Sequence, residues 1–277
     1  MKSTALVIHA CDRYALLFKG FSYFFEKYWN HDIATKNYFL TESLAVSIPN
    51  FQNIQSGKGE WSDRLRIALE QIPKKFILYI QEDLWFNHSV SKDFYEKLFA
   101  FAEEKEAKLI KLHSSLVYKT KPTDTIIDGL RVTILDNEAS EFLMSHQISL
   151  WNREFLIAQL PKGEHPWRNE RKGTQRLRKQ NPVIYHLDAF ACDGCEPIND
   201  NLDNSKRSGY DSISGNAMLW VTADTYIDVL KADPDPETKA YGEKLRYHYD
   251  NKITHDWKSV PNKRDFFKRI KEFLKKL

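Results

Sequence analysis

The segment KKFILYIQEDLWF, residues 74–86, constrains this chain most. Phe76 to Ile80 are apolar without a break, and the run stops at Glu82 and Asp83. A strand covered on both faces reads as such an uninterrupted run, because neither face meets water. It can present charge only at its end. In an α/β enzyme that end is the carboxyl edge of the sheet, where ligands bind. A helix is predicted before the run, Trp61 to Ile72, and another after it, Ser91 to Lys105.

The same alternation extends over the first 115 residues. Thr4 to Ala10 reads as a buried first strand, followed by Cys11-Asp12-Arg13-Tyr14. Residues 15–29 space their apolar and aromatic side chains for a helix. Lys36 to Leu40 and Lys108 to Leu112 are further strands. Strands alternating with helices predict an α/β fold with a mainly parallel sheet flanked by helices. The second half is less regular. Arg131 to Leu135, Phe142 to Leu150 and Val183 to Ala191 read as strands, and Asn152 to Leu160 as a helix. Pro161 to Pro182 reads as a polar stretch punctuated by Gly and Pro. Cys192 to Gly215 reads as a long loop rich in Asp, Asn, Ser and Gly. Asp235 caps a final predicted helix with Pro236 in its first turn.

With 277 residues the chain is long enough for one large domain with an appendage. The reading is 1–232 as a catalytic domain, split into halves 1–115 and 116–232, and 233–277 as a helical appendage. A hydrophobic fraction of 42% supplies a core, and a net charge of +3 argues against nucleic acid as a partner. That charge is unevenly spread: residues 262–277 carry +5 and the remainder −2. There is no signal-peptide pattern, no apolar run long enough to span a bilayer, and no disulfide framework in three cysteines. The expected location is the cytoplasm.

Residues 61–86, WSDRLRIALEQIPKKFILYIQEDLWF, resemble the nucleotide-sugar core of GT-A fold glycosyltransferases. In these an Arg-containing helix precedes an apolar strand that ends in an acidic metal-binding motif. The opening VIHACDRY is similar to their first strand and nucleotide-facing loop. HQISLWNREFL and HPWRNERKG resemble two segments of small bacterial polysaccharide glycosyltransferases. The likeness spans about residues 4–173. It implies a GT-A-like, Rossmann-like fold, a nucleotide-sugar donor, and a glycan or lipid-linked acceptor of the lipopolysaccharide or capsule kind. It also implies Mn²⁺ or Mg²⁺ held by Asp83, with Glu82 beside it at the donor. The family's Asp-any-Asp triplet stands here as Gln81-Glu82-Asp83.

The remaining candidates follow from position and chemistry. Asp12, at the end of the first strand, can accept hydrogen bonds from a pyrimidine ring or from ribose. Its bland alternative is a turn with Arg13 exposed. Arg64 falls where the resemblance puts a donor-phosphate or base contact; it can equally pair with Glu60 or Asp63 on the helix surface. Gln147 can bond a sugar hydroxyl, while Trp151 reads as core. Trp167 offers an acceptor platform, and Glu170, in what reads as a polar loop, is the candidate base for an acceptor hydroxyl. Cys192-Asp-Gly-Cys195 has no second pair to complete a zinc site and reads as a turn.

From Phe266 to Leu277 the apolar residues fall on one stripe, with lysines and arginines elsewhere. Such a helix can lie on an anionic membrane surface or dock on the body with its lysines solvated. Two other functions compete. A sugar-phosphate nucleotidyltransferase would want a Gly-rich loop after the first strand, and Cys11 to Lys19 has no glycine. A non-catalytic membrane-peripheral module on the same fold is the third reading.

Overall fold

The computed structural model describes residues 3–192 and 201–257. The predicted helix in 262–277 and the Cys195 end of the cysteine pair lie outside the described residues. The chain forms two compact units, one ending at Ile213 and one starting at Ser214. Each is described by itself.

The first unit is a mixed α/β fold, and its sheet begins with four parallel strands. They are β1 (Thr4–His9), β2 (Lys36–Thr41), β3 (Gln52–Gln55) and β4 (Phe76–Gln81), in the spatial order β3-β2-β1-β4. Next to β4 comes β9 (Ser149–Asn152), antiparallel to it and to β6 (Leu109–His113) beyond. The sheet continues in parallel through β10 (Ile184–Cys192) and β11 (Ser208–Ser212), and ends on β5 (Leu84–Phe86), antiparallel to β11. A hairpin of β7 (Thr120–Ile127) and β8 (Leu130–Leu135) pairs along β10. β4 and β5 are thus separated in sequence by Glu82 and Asp83 alone, yet β5 pairs at the far end of the strand order.

Helices α1 (Phe18–Tyr28), α2 (Trp61–Glu70), α3 (Lys92–Glu104), α4 (Arg153–Ala158) and α5 (Pro166–Gln180) accompany this sheet. Every residue of β1 is buried, as a strand covered on both faces requires. Val7, Ile77 and Tyr79 share a core with Leu65 and Leu69 of α2. Aromatic rings fill the space by α1: Phe24 stacks on Trp85 at 5.3 Å and Phe21 lies 5.9 Å from Phe39. Gly20 makes this possible, since a Cβ there would stand 2.1 Å from the Trp85 ring.

The second unit holds a two-stranded ladder, β12 (Ser214–Gly215) with β13 (Met218–Leu219), and two helices that pack on one another, α6 (Ala223–Lys231) and α7 (Pro236–Asp250). Asp235 caps α7 by accepting from Thr238 N–H at 2.8 Å, as its sequence predicts. The sequence-drawn boundary at 232/233 lies between these two helices. No helix among the described residues is long and apolar enough to cross a membrane.

Three sequence assignments are corrected. The stretch Pro161–Pro182 contains α5, a full helix with few apolar residues; its buried face is Asn169, Gly173, Thr174 and Leu177. Its punctuation was the right clue: Pro166 opens it and Asn181, left-handed at φ 46°, closes it before Pro182. Phe142 to Ile148 are not strand, and only Ser149–Asn152 pairs. The supposed loop from Cys192 to Gly215 contains β11 and β12.

Gly20→Ala should destabilise the protein by about 1–3 kcal/mol in urea unfolding, because the new methyl meets Trp85. That outweighs the roughly 1 kcal/mol an alanine gains in a helix interior. A stabilised variant would contradict the α1–β5 packing.

Candidate functional site

The end of β4 carries the acids. Glu82 is 5% exposed and its Oε1 accepts from the Cys11 N–H at 3.0 Å, at the adjoining end of β1. Burial and then the neighbouring Asp83 charge push its carboxyl up to about 8, against the pull of that N–H and of Arg64. Asp83 is half-buried. The backbone between them is tied at both carbonyls: Glu82 O accepts from the Trp85 indole at 3.1 Å and Asp83 O from Ile213 N–H at 2.9 Å.

A second acid stands at the end of β2. Glu42 Oε1 lies 3.1 Å from Arg64 Nη1, and the Cys11 thiol points to the same oxygen at 3.6 Å. Arg64 is 5% exposed and comes from the first turns of α2. It pairs with neither Glu60 nor Asp63, the helix-surface partners weighed for it, but with Glu42. Its Nε is buried without a hydrogen-bond partner among the described residues. Asp12 holds the turn after β2: its two carboxylate oxygens accept from the N–H groups of Glu42, Ser43 and Leu44 at 2.8–3.0 Å. Arg13 is exposed beside it.

On the α2 side of β4 lies a buried polar group of rings. Tyr79 Oη is 3.0 Å from His9 Nδ1. Trp61 packs against His9 at 5.4 Å and against His146 at 4.2 Å. Glu170, half-buried on the first turns of α5, accepts from the His146 N–H at 3.1 Å. Burial holds its carboxyl above the ordinary range, opposed by that N–H and by the charge of Lys111. After burial, the influences that raise the Tyr79 phenol are Glu82, Asp83 and Glu170. Glu82, Asp83 and Glu170 thus all act electrostatically on this hydroxyl, whose hydrogen-bond partner is His9.

Lys111 completes the group from β6. It is 1% exposed, donates to Tyr118 Oη at 3.0 Å and Ser145 Oγ at 2.7 Å, and burial lowers it to about 7. Of the acceptor candidates, Gln147 accepts from Tyr210 Oη at 2.6 Å, whereas Trp167 is 62% exposed at the start of α5. Trp151 is core, 1% exposed. Cys11 is a free thiol raised to about 11, first by burial. His186 is buried between Thr133 Oγ1 at 3.2 Å and His113 O at 3.0 Å.

Sequence reasoning passed over Glu42, Tyr79 and Lys111. Glu42 had a signal, since NYFLTE is a second apolar run that stops at an acid. Lys111 had one too, as a lone cation inside the buried run LIKLH.

Among the described residues no three His, Cys, Asp or Glu side chains converge as a protein metal cage. The donor set at the end of β4 nonetheless fits Mg²⁺ or Mn²⁺. Such ions take one or two carboxylates and complete their shell with phosphate oxygens and water. Burial is the main cause of the raised Glu82 carboxyl; the second, the Asp83 charge, is what a dication would offset.

No protein-family model and no curated protein matches the chain. Among solved structures it is similar to S. aureus TarS 1–349, at 11% identity over 96% of this chain and 77% of that one, with a TM-score of 0.48. The same protein in complex with UDP-GlcNAc matches at 12% identity, over the same shares and with a TM-score of 0.48. CMP:2-keto-3-deoxy-manno-octonic acid synthetase complexed with CTP matches at 13% identity over 66% of this chain and 88% of that one, with a TM-score of 0.41.

A carboxyl whose pKa is raised on folding binds more protons folded than unfolded, so stability falls as pH rises through that window. For Glu82 the window runs from about 4.5 to about 8. Urea unfolding of the metal-free protein should show wild type losing more than about 1 kcal/mol across it relative to Glu82→Gln. Parallel pH profiles would contradict the buried, protonated Glu82.

Proposed function

We propose that the chain is a glycosyltransferase that moves a sugar from a nucleoside diphosphate donor to a glycan or lipid-linked acceptor. The observation that carries this reading is the acid pair Glu82-Asp83 at the carboxyl end of β4, within the electrostatic reach of buried Arg64, with Glu170 half-buried on α5. Two of the acids are adjacent and share a strand end; the third comes from a separate helix. That division suits a reaction with a charged leaving group on one side and a proton to remove on the other.

A bound Mg²⁺ or Mn²⁺ would offset charge on the departing diphosphate. Asp83 would hold it, with Glu82 as neighbour. Arg64, a fixed guanidinium with an unpartnered Nε, would meet the donor's phosphates. Asp12 would act at the donor by shaping the turn whose N–H groups it holds, with Arg13 at its rim. Gln147 and Trp167 would meet acceptor hydroxyls and a sugar face. Glu170 would take the proton of the acceptor hydroxyl as its oxygen bonds to the anomeric carbon. The bond from that carbon to the diphosphate oxygen breaks in the same step, inverting the centre. A carboxyl held above its ordinary range by burial is a better base near neutrality than an exposed one. The basic stripe in 262–277 is read as a contact with an anionic membrane face that carries the acceptor.

Turnover of UDP-, GDP- and dTDP-sugars tests this. One donor should be hydrolysed or transferred; Asp83→Ala should abolish it. Glu170→Gln should lower kcat by about 100-fold or more with donor KM changed less than about threefold. A Glu170→Gln enzyme near wild-type turnover would remove Glu170 as base.

A further inference from the structure

Helix α5 has a second face. Its exposed positions are Trp167, Arg168, Arg171, Lys172, Gln175, Lys179 and Gln180, with Glu170 turned inward and half-buried. At 3.6 residues per turn the four cations fall within an arc of about 100°, and Trp167 lies between Glu170 and Arg171 around the helix. No acid interrupts them. The other two cations of α5 are engaged: Arg176 pairs with Glu164 at 3.0 Å, and Arg178 donates to the carbonyls of Asn137 and Ser140 at 3.0 and 2.8 Å. Among the described residues Arg168, Arg171, Lys172 and Lys179 make no hydrogen bond or ion pair, and Lys172 acts on Glu164 only at a distance.

The nearby acids are already spent. Glu164 is held by Arg176 and Asn169, and Asp63 accepts from the Gly163 N–H at 3.2 Å. Like charges three and four residues apart, such as Arg168 with Arg171 and Lys172, repel along a helix. In the second unit the opposite solution is used, where Arg246 of α7 is answered by Asp224 and Asp228. An unanswered cationic face headed by an exposed tryptophan, on the helix that carries the candidate base, is a surface for a long anionic molecule with apolar sugar faces.

We propose that the acceptor is an anionic glycan, bearing phosphate or carboxylate groups along its length. It lies on the exposed face of α5, with Trp167 against a sugar ring at the end nearest Glu170. This rests on the reading of Glu170 as base. The cations would hold successive anionic units of the glycan, while the terminal hydroxyl passes round Trp167 to the carboxylate.

The full chain can be titrated with fluorescently labelled dextran sulfate and with neutral dextran at low salt. Wild type should bind the sulfated polymer and not the neutral one. Arg168→Glu/Arg171→Glu/Lys172→Glu should weaken binding by about tenfold or more, summing three surface charge contacts. Lys27→Glu/Lys36→Glu/Lys108→Glu, with the same charge change at exposed lysines elsewhere, should weaken it less than about twofold. Equal losses in the two triples, or none in the first, would overturn the proposal. If circular dichroism shows the first triple misfolded, Arg168→Gln/Arg171→Gln carries the same comparison. No donor and no turnover enter the measurement, so its outcome is separate from that of the transferase reading.

Discussion

A strand buried on both faces can release charge only at its end, and the site depends on that constraint acting on β4. Between β1 and β9 it has no room for an ionised side chain until Glu82. There the chain turns directly into β5, and both acid carbonyls are fixed by hydrogen bonds from the Trp85 side chain and Ile213 backbone. Two carboxyl groups are thereby set side by side on a rigid edge. Burial and then its neighbour's charge push the carboxyl of one of them, Glu82, up to about 8.

The surrounding residues share this economy. Arg64, Glu42 and Cys11 are linked on the β1–β2 side, and Lys111 is held by the Tyr118 and Ser145 hydroxyls on the β6 side. Between them Tyr79, His9, Trp61 and His146 pack as rings. The histidines are kept neutral by burial, with His9 well below its ordinary value and His146 lowered to about 3.

Strands β1, β2, β4 and β6 were legible because they are apolar runs between helices with ordinary spacing; Arg64 sits on one of those helices, and Glu82 and Asp83 directly follow β4. What the sequence hid had weak local signals for physical reasons. β5 is three residues long; β7 is a polar hairpin strand containing Pro122; α5 buries small and polar side chains against its neighbours. Glu170 was read in a polar loop and lies instead on a helix. Asp12 shows the opposite lesson. Its position at the first strand's end was readable, but that its carboxylate would be filled by three N–H groups of a turn thirty residues away was not.

Calorimetric titration with UDP, GDP and dTDP, with Mn²⁺ present and then with the cation chelated, tests the central claim most directly. The account predicts that one nucleoside diphosphate binds wild type, that chelation weakens it by about tenfold or more, and that Asp83→Asn removes the cation dependence. Binding by none of the three, or binding indifferent to both cation and Asp83, would contradict it.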